Sequence, residues 1–188
     1  MDFPIMSSRC SVHIQDDRVI KSYVRDSSFD KEVEAYSLLE GKQFIPRLIE
    51  KNYESKYIII EKIDAPTISE FIEKNGIIPI NFAEQMRTIL VELMEANINI
   101  TTEILKHDHI YIVNSNKIPN TYDVRIIDFD VYDKITSDFQ RKFTLQEIDS
   151  YFGFVKDRED ESSKQQLRDK FYEYGATKQQ VEEFFNNI

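Results

Sequence analysis

Apolar and polar positions alternate along SVHIQDDRVIKSYV (residues 11–24), on both sides of Gln15-Asp16-Asp17. Strand side chains point alternately to two faces, so two such runs about a short acidic turn predict a β-hairpin. The period then changes. In FDKEVEAYSLLEG, opened by Ser28, the residues Phe29, Val33 and Tyr36 recur at the spacing of one helix face, and Gly41 supplies a stop. Residues 47–50 and YIIIE (57–61) predict two further short strands.

Helical periods dominate from there. Thr67 with Glu70 predicts a capping box for ISEFIEKNG, closed by Gly76. Asn81 with Glu84 is expected to cap a longer helix whose Phe82, Met86, Ile89, Leu90, Leu93 and Met94 share one buried face. HIYIV (109–113) and VRIID (124–128) predict a second hairpin across the turn-rich NSNKIPNTYD. Thr144 with Glu147, Ser163 with Gln166 and Thr177 with Gln180 predict the starts of three last helices, the first running through Phe154. The layout is α+β: a small β-rich half, then a helical half with one hairpin at the junction. A cleft is expected between the two, and clefts are where ligands usually bind.

Composition narrows the function classes. The chain has 188 residues, 41% hydrophobic and 31% charged, enough apolar material for one domain or two small lobes. Its formal charge is −10, and no Lys/Arg cluster stands out, which argues against nucleic-acid binding. No apolar stretch approaches the ~20 residues needed to cross a bilayer, and the first residues, MDFPIMSS, do not read as a signal peptide. The single cysteine, Cys10, allows no intrachain disulfide and is expected to be a packed side chain. These features predict an intracellular, cytoplasmic protein with no membrane role.

The candidate chemistry lies in VIK and VRIIDFDVYDK. Lys21 falls on the second strand of the first hairpin and Glu32 on the helix after it, so the pair can aim an ammonium at phosphate oxygens. Glu34 is turned to another face of that helix. Asp128, at the end of a buried-looking strand in the other half, is placed to hold Mg²⁺, which favours one or two carboxylates plus phosphate oxygens. Phosphoryl transfer is assisted at such sites mainly by positioning and charge neutralisation. His107 and His109 alternate with Asp108, but the only other histidine is His13, so no zinc set is complete.

In this order the set resembles the eukaryotic-type protein kinase family. The resemblance is carried by VIK (19–21), KEVEAYSLL (31–39), YIIIEKIDAPTISEFIEKNG (57–76) and IIDFD (126–130), and it spans roughly residues 5–155. It implies a two-lobed fold, with a β-rich lobe over about residues 1–63 and a trimmed helical lobe over about 64–188. It implies ATP and Mg²⁺ in the cleft. Lys21 would touch the α/β-phosphates, Glu32 would orient Lys21, and Asp128 would bind metal. Ile60 would be the gatekeeper, backbone groups of Glu61 and Ile63 would bind adenine, and Phe129 would pack beneath the Glu32 helix.

The departures are specific. The family's glycine-rich loop corresponds to MSSRCSVH (6–13), which has no glycine; Ser7 and Ser8 are the nearest substitutes, and their Cβ atoms narrow the approach of a phosphate. Taking HIYIV as the strand after the catalytic loop puts His109 where the metal-binding asparagine belongs and Ile104 where the catalytic aspartate belongs. An isoleucine cannot accept a hydroxyl proton. Glu103 and Asp108 are the nearest carboxylates that could stand in. Asp130 replaces the glycine after Asp-Phe, and residues 131–144 contain no Ala-Pro-Glu. DSYFGF (149–154) resembles, one residue out of step, the helix whose aspartate braces the catalytic loop. The expectation is a pseudokinase that works through a protein partner. The alternative is an active, atypical kinase with a protein substrate.

Overall fold

The alternating run at the start of the chain forms a hairpin whose turn is Asp16-Asp17, with Val12 opposite Lys21 and Ile14 opposite Val19. The computed structural model describes residues 5–6, 9–99, 101–115 and 121–188; Ser7, Ser8 and part of the NSNKIPNTYD turn lie outside them. The first sheet contains β1 (Ile5–Met6), β2 (Cys10–Gln15) and β3 (Arg18–Tyr23), and helix α1 (Asp26–Leu38) follows. Strands β4 (Leu48–Asn52) and β5 (Tyr57–Glu61) complete it. Its order is β1-β2-β3-β5-β4, with neighbours antiparallel.

Helix α1 begins earlier than Ser28 predicts. Ser28 is buried inside the first turn, and Arg25 occupies the cap position without a side-chain hydrogen bond. The apolar face is as expected: Phe29, Val33 and Tyr36 are buried, together with Ala35 and Glu32.

The second half holds α2 (Ile68–Asn75), α3 (Phe82–Glu95), β6 (Ile98–Asn99), α4 (Thr101–Ile104) and the hairpin β7 (Ile110–Asn114) and β8 (Tyr122–Ile126). Strand β9 (Asp133–Lys134) follows, then α5 (Asp138–Phe152), a short 3₁₀ turn (Gly153–Val155), α6 (Glu161–Glu173) and α7 (Lys178–Asn187). The capping box on α2 forms in both directions, with Glu70 N donating to Thr67 Oγ1 and Thr67 N donating to the Glu70 carboxylate. Gly76 closes α2 at φ +69°, a left-handed position where a side chain is strained. Every residue of the expected α3 stripe is buried. Thr177 and Gln180 also form their box.

Three further expected caps are not formed, each because a tertiary or nearer partner wins. Asn81 turns its Nδ2 to Tyr122 O at 3.0 Å and leaves the α3 terminus uncapped. Ser137, accepting from Gln140 N, starts α5 two turns before Thr144, which is buried within the helix. Asp160, accepting from Ser163 N, caps α6, so Ser163 lies inside its first turn.

Two sets of contacts place the site. Arg125 on β8 donates to both Glu61 carboxylate oxygens, at 3.2 and 3.1 Å, and to Ile45 O at 2.7 Å. Ile126 N donates to Phe44 O at 2.7 Å. The end of β8 is thereby held against the first sheet. On the far side, α1 grips the segment after β8: Lys31 Nζ donates to Tyr132 O at 2.8 Å, and Tyr132 OH donates to Glu34 at 2.6 Å. Glu34 also pairs with Lys134, so it does face away from Lys21. Phe129 is fully buried beneath α1, edge-on to Tyr36 with ring centroids 5.9 Å apart.

Candidate functional site

Strand alternation puts Val19, Lys21 and Tyr23 on one face of β3, and helical spacing aims Glu32 of α1 back at that face. The Lys21 ammonium donates to both Glu32 oxygens, at 2.8 and 2.7 Å. Asp128 arrives from the other direction, just beyond β8. Its φ of +76° is unusual for a residue with a side chain, though aspartate tolerates it better than most. Lys21 Nζ bonds Asp128 Oδ1 at 2.8 Å. Three charges far apart in the chain therefore meet at one point.

The electrostatics favour a permanently charged lysine. Burial alone would depress the Lys21 pKa, but Glu32 and Asp128 outweigh it and push it up. Burial pushes the Glu32 carboxyl up, against the pull of Lys21. Burial would also raise Asp128, yet Lys21 holds it below the usual carboxylate range. Tyr23 OH, kept protonated by burial and by the neighbouring carboxylate, donates to Glu32 Oε2. Tyr23 was not among the expected site residues, though its place two positions from Lys21 on the same strand face was the available signal.

In front of this cluster lies a cleft of about 810 Å³ between the sheet and the helical part. Val12, Val19 and Ile60 line it from the sheet, Tyr111 and Ile127 from below, and Lys21, Asp128, Asp130 and Arg9 bring the charges. Ile60 and Ile63 both line it, as the gatekeeper and adenine-contact expectations require. The Ile63 amide makes no hydrogen bond among the described residues, whereas the Glu61 amide is already spent on Arg47 O at 2.9 Å. At Glu61 only the backbone carbonyl remains suited to an adenine contact, because its side chain holds Arg125.

The expected catalytic carboxylates are placed differently from each other. Asp108 lines the cleft, its side chain 62% exposed. Glu103 does not line it and pairs with Lys106. The Glu103 backbone carbonyl instead accepts from His109 Nδ1 at 3.0 Å. A carbonyl only accepts, so His109 Nδ1 carries a proton, and Nε2 is the nitrogen toward the cleft. That nitrogen lies 3.4 Å from Asp128 Oδ2 and 3.8 Å from Asp108 Oδ1. Ile104 is fully buried, a core residue. Restoring a base by Ile104→Asp should therefore destabilise the protein by about 3 kcal/mol without creating activity, as thermal unfolding and a phosphotransfer assay would read. Asp149 bonds Arg87 at 3.1 Å and Lys156 at 3.4 Å, so it does not brace the catalytic loop.

The donor set fits magnesium through oxygen. Asp128 offers one carboxylate, whereas Asp130 is taken up by Arg9 at 3.3 Å, and its Oδ1 is buried without a hydrogen-bond partner among the described residues. Imidazole is a poorer partner for magnesium than an oxygen ligand, so His109 fits less well than the asparagine it would replace. Among the described residues no group of three or more His, Cys, Asp or Glu is gathered as a metal cluster. Magnesium here would draw most of its remaining ligands from phosphate and water.

No protein-family model and no curated protein sequence matches the chain. Among the described residues no helix is long and apolar enough to cross a membrane. Among solved structures the chain is similar to the Rio2 kinase of Chaetomium thermophilum, determined as an ADP/Mg²⁺–phosphoaspartate complex. The TM-score is 0.57 at 13% identity, covering 100% of this chain and 69% of that one. At that identity the likeness establishes architecture: a small antiparallel-sheet lobe and a helical lobe in a kinase-like fold.

Proposed function

We propose that the chain binds a magnesium nucleotide in this cleft and works chiefly as a pseudokinase, through contacts with a protein partner. The observation that carries it is the meeting of Lys21, Glu32 and Asp128 at 2.7–2.8 Å beside a cleft whose catalytic-base position holds a buried isoleucine. A chain selected only for its fold would have little need to bury Lys21 and Glu32 together, because burying an ion pair is often no more stabilising than packing apolar side chains. In this reading Lys21 contacts the phosphates, Glu32 and Tyr23 position Lys21, and Asp128 holds the metal, with Asp130 near it. The ADP and Mg²⁺ of the Rio2 structure support the same ligand class.

Asp108, exposed in the cleft, favours a second reading: an active, atypical phosphotransferase in which it orients a hydroxyl acceptor. The Rio2 phosphoaspartate suggests a variant of this. An ionised carboxylate needs no base, so an aspartate oxygen could bond the γ-phosphorus as the bond to the β-phosphate oxygen breaks and ADP leaves with the electron pair. Incubation with γ-labelled ATP and generic protein substrates separates the two readings. A pseudokinase gives no stable label on protein. Robust turnover that is lost in Asp128→Asn would overturn that reading, and label released by hydroxylamine would identify an acyl phosphate.

A further inference from the structure

Asp130 is the buried counter-charge of a residue across the cleft. Arg9 lies just before β2, and its Nε stands 3.3 Å from Asp130 Oδ2. The arginine side chain is 32% exposed, while the carboxylate is closed off at 2%. Both line the same cleft as Lys21 and Asp128. The cleft thus carries two cross-links of opposite charge, Lys21 to Asp128 and Arg9 to Asp130.

The second cross-link is poorly satisfied. Asp130 Oδ1 is buried without a partner among the described residues. A guanidinium, by contrast, presents a planar fork of donors matched to a phosphate. Arg9 also stands in the one stretch, residues 6–13, where glycine would let backbone amides approach a phosphate and where this chain has none.

We propose that Arg9 is a latch across the phosphate end of the cleft. Without ligand it rests on Asp130; a polyphosphate arriving at Lys21 takes the guanidinium. Arg9 then supplies phosphate contacts that glycine-loop amides would otherwise give, and Asp130 is the internal competitor that sets the affinity. This rests on the nucleotide reading of the cleft.

The test is calorimetry on the full chain with Mg-ATP, magnesium tripolyphosphate and adenosine, using wild type, Arg9→Gln, Asp130→Asn and the double variant. Arg9→Gln should weaken ATP and tripolyphosphate by ~10-fold or more and leave adenosine unchanged. Asp130→Asn should tighten both polyphosphates several-fold, and that gain should disappear in the Arg9→Gln background. Wild-type affinity in Arg9→Gln would overturn the latch while leaving the nucleotide reading intact. So would an equal Asp130→Asn gain in both backgrounds, which is plain removal of repulsion. A wild type silent to every ligand would defeat the nucleotide reading for the native chain. The latch then stands only if Asp130→Asn alone restores polyphosphate binding, and silence in that variant overturns it too.

Discussion

Lys21→Met should cost the fold about 3–5 kcal/mol, far more than a surface ion pair would, because it strands a buried carboxylate. Glu32 is fully buried, and without the ammonium its remaining bond among the described residues comes from Tyr23 OH. Asp128 would lose its contact with Lys21 as well. The penalty belongs mainly to the orphaned charge rather than to the pair. The double variant Lys21→Met/Glu32→Leu should therefore recover most of the loss, since apolar replacement of a buried pair is often neutral or better. Chemical denaturation of the four proteins in this cycle checks it. A Lys21→Met protein as stable as wild type would mean that Glu32 is hydrated and that the cluster is not the buried unit described.

Asp128→Asn should abolish the stabilisation that magnesium nucleotide gives. Asparagine keeps the residue's tolerance of positive φ while removing the charge that would face the metal, so the backbone at φ +76° is not newly strained. For wild type, nucleotide at ~100 times its Kd adds about 2.7 kcal/mol. For a chain of this size that corresponds to a rise in Tm of roughly 5–10 °C. The variant's own stability will fall somewhat, because Lys21 loses a contact, so the comparison is each protein with and without ligand. An Asp128→Asn protein that retains the full rise would remove Asp128 from the metal's coordination and undermine the site.

The sequence carried the cluster because local rules place each member. Strand alternation fixes which way Lys21 points, the helix period separates Glu32 from Glu34, and a run of β-branched residues ends at Asp128. Phe129 beneath α1 was legible from the motif resemblance rather than from a local rule. The hairpins, the α3 stripe and the boxes at Thr67 and Thr177 were legible from local rules. Part of what was missed depended on partners distant in sequence. The α3 cap fails because Tyr122, from β8, claims the Asn81 amide. Ser137 with Gln140 fits the same short pattern as Thr144 with Glu147, a tie that pattern alone does not break, and the Asp160 cap on α6, accepting from Ser163 N, lies outside that pattern. Nothing local joins Arg9 to Asp130, or Lys31 and Glu34 to Tyr132 and Lys134, because those contacts exist only once the lobes have met.

The most direct measurement is a crystal structure of the protein with a non-hydrolysable ATP analogue and magnesium. The phosphates are expected within hydrogen-bond reach of the Lys21 ammonium, magnesium on Asp128, and adenine against Ile60 and the Ile63 amide. An analogue bound at another face, or a cleft that takes up none at millimolar concentration while Lys21 stays on Asp128, would contradict that expectation.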